Sequence, residues 1–196
     1  MRNLYRGLFA LLLALMLPWA SAQTTGETAL HTVRGFLPDL KFSLQGVGNK
    51  TVTQTDFKGK VILLFFGYAS CPDVCPTTMA QLSHVVENLG TDADKVRILF
   101  ISVDPHRDTP DILQAYVDAF DSNATGLTGS EKQIADLARR YRVAYQIEKP
   151  AADAPEDYEV AHSRGVYIFD QQGRARMLAA DTESSDVLTT AVKSLL

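Results

Sequence analysis

Cysteine is almost missing from this 196-residue chain: Cys71 and Cys75 are the only two. A framework of several structural disulfides is thereby excluded. Charge of one sign is lacking as well. Nineteen Lys and Arg stand against 23 Asp and Glu, a formal net charge of −4, so nothing points to nucleic acid or an anionic membrane surface as a partner. A comfortable membrane span of about 20 apolar residues is also wanting, because the apolar run at 8–17 is broken by Pro18. There is no internal repeat and no sign of a second domain.

The N-terminus has the marks of a secretory signal peptide. Arg2 and Arg6 form a short positive region, residues 8–17 an apolar one, and Ala20-Ser21-Ala22 an A-x-A cleavage site. No cysteine follows the apolar region, which argues against a lipoprotein anchor. An uncleaved membrane anchor is the alternative. The expected division is residues 1–22 signal peptide, 23–35 flexible leader and 36–196 one folded domain. Cleavage would leave 174 residues with a net charge of about −6, since two arginines and no acids are lost. A domain of that size buries roughly 70% of its unfolded surface and folds without a disulfide or metal. A cysteine pair in an exported protein is ordinarily a structural bridge. Here the bridge would close a very short loop and remove little chain entropy, so a metal site or a redox pair is the stronger motive.

The two cysteines lie in FFGYASCPDVCPTTM, spaced C-x3-C with a proline after each. The apolar run 61–67 leads in, without alternation, as a strand buried on both faces reads. A helical pattern over 76–89, carrying Met79, Leu82, Val86 and Leu89, leads out. A strand thus delivers two thiols to a helix N-terminus, where negative charge and hence thiolate is favoured.

Around this stretch the elements alternate. A Gly-rich turn at 45–50 between 42–44 and 51–53 predicts a hairpin. After the first helix come a strand at 96–103, an exit loop DPHRD, and a second helix with Thr109 as N-cap and Pro110 at N1. Residues 126–129 read as a connection, and Ser130-Glu131 opens a third helix. A strand at 143–147, a long acidic loop at 148–161, strands at 165–169 and 174–179, and a helix from about 184 to 196 complete the chain. A βαβ half joined to a ββα half is the thioredoxin arrangement. The expected fold is therefore α/β, a thioredoxin-like central mixed sheet flanked by helices, with an N-terminal β-hairpin extension. Ligand sites in such sheets lie at the carboxyl ends of the parallel strands, where Cys71, Asp104 and His106 fall.

Two thiolates and an imidazole suit copper. Four histidines compete for the third position. His31 falls in the leader. His84 sits nine helical residues beyond Cys75, about 13 Å away, too far to share an ion. His106 is either a competitor or a solvated loop residue. His162 stands between the acidic loop and a strand, and is either a ligand or a structural histidine.

The segments FGYASCPDVCP, SVDPHRDTP, LTG at 127–129 and VAHSRGVYIFD, in this order, resemble the Sco/SenC family of copper proteins from about Phe36 to the C-terminus. The resemblance implies a thioredoxin-like fold that binds one copper ion, Cu(I) or Cu(II), through Cys71, Cys75 and His162. It implies support for assembly of the binuclear copper site of cytochrome c oxidase. The partners would be subunit II of that oxidase or another copper-site protein, together with a copper donor protein. Asp73 between the cysteines either tunes charge and docking or stabilises the first helical turn. Asp104 either lies near the site or caps its loop. The expected location is the periplasm, soluble after signal cleavage or membrane-anchored without it. The alternative function is a thiol-disulfide oxidoreductase using Cys71 and Cys75 as its redox pair, with a thiol peroxidase third. The C-x3-C spacing, and His162 where thiol-redox members of the fold carry a cis-proline, favour metal.

Overall fold

A computed structural model describes residues 30–33 and 35–196. The expected signal peptide, 1–22, lies outside the described residues.

The fold is built on β4 (Val61–Gly67), in which all seven residues are buried. It pairs in parallel with β5 (Val96–Ser102) and antiparallel with β9 (Val166–Phe169). Among the described residues the sheet has six strands in the order β1-β10-β9-β4-β5-β6, with β1 (Leu30–Thr32), β6 (Ala124–Leu127) and β10 (Ala175–Ala179) completing it. Among the described residues four α-helices flank it: α1 (Val74–Glu87), α2 (Pro110–Asp118), α3 (Glu131–Arg140) and α4 (Ser185–Lys193). This is the thioredoxin-like mixed sheet the sequence implies. Successive β4 residues serve opposite faces. Phe65 meets Phe100 and His162, whereas Phe66 meets Tyr141 and Tyr167.

Local chemistry sets the helix starts. Thr109, Ser130 and Ser184 each accept a first-turn amide as N-caps, and Ser130 and Gln133 form a reciprocal capping box. The N-terminal hairpin is β2 (Ser43–Gly46) paired with β3 (Lys50–Thr53). It docks through Gln45, whose backbone exchanges two hydrogen bonds with Thr128 at 2.7 and 2.9 Å.

Four differences from the sequence reading bear on the site. The first helix begins at Val74, not at 76, so Cys75 belongs to its first turn. Pro76 is accommodated there because first-turn amides have no intrahelical partner. Within the stretch expected to be a flexible leader, Leu30–Thr32 pair with Met177, Leu178 and Ala179 of β10 as an edge strand. Residues 124–127 form a parallel edge strand that takes in the first half of the connection expected at 126–129. Gly126 makes this possible, because a methyl group there would stand 2.7 Å from the backbone of Leu113 on α2. Lastly, β7 (Tyr145–Ile147) does not join the main sheet. It pairs antiparallel with β8 (Val160–His162), so the acidic loop is 148–159 and His162 ends a short ribbon.

Candidate metal centre

Gly67 and Ser102 are paired at the carboxyl ends of β4 and β5. The two exit loops therefore leave side by side, one carrying the cysteines and the other running 103–109. The β7–β8 ribbon brings His162 to the same end. The single His, Cys and acid cluster with metal-ligand geometry among the described residues is Cys71, Cys75 and His162, whose donor atoms all lie within 4.8 Å of one another. Bonds of about 2.0–2.3 Å place three trigonal donors roughly 3.5–4 Å apart, so small side-chain adjustments would seat one ion.

The imidazole is set for coordination. Nδ1 of His162 lies 3.0 Å from the carbonyl oxygen of Ser163. A carbonyl only accepts, so Nδ1 carries the proton and Nε2 keeps its lone pair. Nε2 faces the Sγ of Cys75 at 3.5 Å. The rings of Phe65 and Tyr68 stand edge-on to the imidazole, each with centroids 6.0 Å away. Burial pushes the His162 pKa below its ordinary value, which favours the neutral form a metal needs.

The thiols are unequal. Cys71 is partly exposed and Cys75 is buried, and both are free. The Cys75 amide donates to the Cys71 Sγ at 3.5 Å. Burial pushes the Cys75 thiol far above its ordinary pKa and the adjacent Cys71 adds to this, while a hydrogen bond from the Tyr68 backbone opposes it. The expectation that the helix N-terminus holds a thiolate is thus outweighed by desolvation at Cys75. Metal must displace that proton, and binding is coupled to proton release.

The other candidates are not brought to the sulfurs. His31 lies on edge strand β1. His84 pairs with Glu87 at 3.3 Å on the exposed side of α1, and His106 lies 3.5 Å from Glu131, also exposed. Asp73 occupies the N-cap position of α1, yet its side chain makes no capping bond. Asp104 is buried and bound to Arg107, with a Nε to Oδ2 distance of 2.5 Å.

Several supporting residues escape a motif search. Gly67 admits the Cys75 sulfur to the sheet. Asp108 is buried and accepts from the Ser102 hydroxyl at 2.6 Å and the Ala69 amide at 3.1 Å, tying the two exit loops together. Arg107 and Tyr158 link the second loop to the acidic one. The Arg-Asp pair within SVDPHRDTP was a signal, but nothing in sequence names its partners.

A profile of the SCO1/SenC family matches residues 37–196. Protein sco1 of Schizosaccharomyces pombe is 34% identical over 154 residues, covering 78% of this chain and 59% of that protein. The chain therefore spans less than two thirds of that relative's length. Among solved structures, ScoI of Bradyrhizobium japonicum with copper bound is 38% identical with a TM-score of 0.72, covering 81% of this chain and 99% of that one. BsSco, described as a member of the Sco family of cytochrome c oxidase assembly proteins with a disulfide switch, is 25% identical with a TM-score of 0.63, covering 81% and 93%.

Proposed function

The chain belongs to the SCO1/SenC family, and from that premise we propose that it is a copper metallochaperone in which Cys71, Cys75 and His162 hold one copper ion as cargo. The observation that carries the reading is the His162 Nε2 lone pair turned towards the Cys75 sulfur at 3.5 Å. Soft thiolates suit Cu(I), and imidazole suits Cu(II) as well. Three protein donors leave a further position from which a partner's ligand can attack the metal, so the cargo can leave by exchange. The partly exposed Cys71 is the open side of the centre.

The receiving partner fits cytochrome c oxidase subunit II or another copper-site protein, in keeping with the assembly role stated for BsSco, and a copper donor protein would load the site. The expected location is the periplasm after removal of residues 1–22. No described helix is long and apolar enough to cross a membrane. A second reading, a thiol-disulfide reductase acting on an exported partner, is favoured by two free thiols four positions apart, with the Cys75 amide donating to the Cys71 sulfur at 3.5 Å. That chemistry would use the same pair.

The test is to load the reduced protein with Cu(I) and with Cu(II) in the absence of oxygen, count copper per chain and record the spectrum. We expect one copper per chain, lost in Cys71→Ser and Cys75→Ser. In His162→Ala the Cu(II) spectrum should change. Absence of retained copper, together with turnover of a disulfide substrate, would replace the chaperone with the reductase.

A further inference from the structure

We propose that Arg107 is a positioning residue that clasps the β7–β8 ribbon, and His162 with it, to the carboxyl end of the main sheet. The inference rests on reading His162 as a copper ligand.

The ribbon is a two-stranded sheet that shares no ladder with the six-stranded one among the described residues. An isolated two-stranded hairpin is marginal in water, so side chains must hold it in place. Arg107 is placed to do so. Its side chain is 10% exposed. Nε donates to Oδ2 of Asp104 at 2.5 Å, anchoring the guanidinium to the loop after β5. One terminal nitrogen donates to two carbonyls of the acidic loop, Glu156 at 2.9 Å and Tyr158 at 3.0 Å. The guanidinium carbon lies 3.6 Å from the centroid of the Tyr158 ring, a stacked cation–π contact. The Tyr158 hydroxyl then donates to Oδ1 of Asp104 at 2.9 Å.

Asp104, Arg107 and Tyr158 thus form a closed ring spanning two elements, and Asp104 is fully buried. Tyr158 is two residues before β8, whose last residue is His162. The thiols stand at the β4–α1 junction, which Arg107 reaches only at the Tyr68 ring, 5.6 Å from the guanidinium carbon, so the clasp acts chiefly on the third donor. Arginine is required, because a lysine offers one point charge where the ring uses a planar fork with donors in two directions. Opening the clasp would withdraw the imidazole and leave a two-sulfur site, a form better suited to Cu(I) than to Cu(II).

The decisive experiment is amide hydrogen exchange on the reduced, metal-free full chain, comparing it with Arg107→Gln and His162→Ala. We expect Arg107→Gln to accelerate exchange in β7 and β8 by about tenfold or more while β4, β5 and β9 keep their protection. His162→Ala should leave the ribbon protected. On Cu(II) loading, Arg107→Gln should reproduce the altered spectrum of His162→Ala. Unchanged protection in the ribbon, or acceleration shared equally by the central strands, would overturn the proposal. If Arg107→Gln does not fold, because the Asp104 carboxylate is left buried without a partner, Tyr158→Leu keeps the Asp104–Arg107 pair and is judged by the same outcomes. The exchange measurement needs no copper, so a failure of copper binding by the unaltered protein would overturn the functional reading and leave the clasp to be decided on its own.

Discussion

The sulfur of Cys75 occupies the space that a side chain on Gly67 would need. A methyl group there would stand 2.8 Å from that sulfur and 2.9 Å from the Phe100 ring. The thiol can lie on the sheet only because β4 ends in glycine. Phe100 is held between Phe65 and Tyr116, so the sulfur is the group free to move. Gly67→Ala should lower stability by roughly 1–3 kcal/mol through overpacking and turn the sulfur away from Nε2 of His162. Copper titration should show affinity weakened by at least about tenfold, and calorimetry a lower Tm. An unaltered affinity would mean that the depth of this sulfur is immaterial.

Asp108 gives the site's support a pH dependence. Burial pushes its carboxyl above the ordinary range, although the Ser102 hydroxyl and the Ala69 amide lower it in part. The folded protein therefore holds this proton where the unfolded chain, titrating near 3.9, has lost it. Stability from this group is full below the unfolded pKa and is lost as pH rises through the folded one. Asp108→Asn keeps an accepting oxygen and carries no charge. Its stability relative to the unaltered protein should rise as the pH goes from about 4 to 7, read from urea midpoints across that range. A difference that stays flat, or that moves the other way, contradicts a buried ionising carboxyl.

The parts of this fold written in short local codes could be read from the chain. Thr109, Ser130 and Ser184 announce helices, the unbroken apolar run of β4 announces a central strand, and C-x3-C announces the site. The parts set by distant pairing could not. Leu30–Thr32 is a three-residue strand whose only warrant is the free edge of β10. β6 hides behind Gly126, which lowers its strand signal and is there to let α2 approach. β8 is visible only as the partner of β7, more than ten positions earlier. At the site, the three donors carry a spacing that a motif can hold. Gly67 meets Phe100 33 positions on, and Arg107 and Tyr158 meet across 51 positions, separations that no motif records.

Tyr141 shows how the N-terminal segment is fastened. Its buried hydroxyl accepts from the Lys41 amide at 2.9 Å and donates to the Asp39 carbonyl at 3.1 Å. Its own carbonyl accepts from the Tyr167 hydroxyl at 2.9 Å. Tyr141→Phe keeps the ring among Phe66, Tyr167 and Phe169 but strands two backbone groups. The expected loss is about 1–3 kcal/mol, measured by urea denaturation, with faster amide exchange at Lys41 and unchanged copper binding. Weakened copper binding would show that this distant anchor reaches the metal centre.

Oxidation should switch the centre off. Oxidised glutathione would take two electrons from Cys71 and Cys75, form one S–S bond between them and leave as two reduced thiols. Both sulfurs then lose the anionic form that binds metal, and a single neutral imidazole is too weak a site to retain copper. In the chain-entropy account, a loop of about five residues contributes only about 2 kcal/mol. Oxidation gives up the thiol contact between Cys75 and Nε2 of His162. The oxidised protein should therefore have a Tm within a few degrees of the reduced one and bind no copper, with binding restored by a reductant. Copper retained while thiol titration finds no free sulfhydryl would refute the assignment of the two sulfurs. A large gain in Tm would instead mark the pair as a structural bridge. The partly exposed position of Cys71 argues against that outcome, since it leaves the pair accessible to reduction.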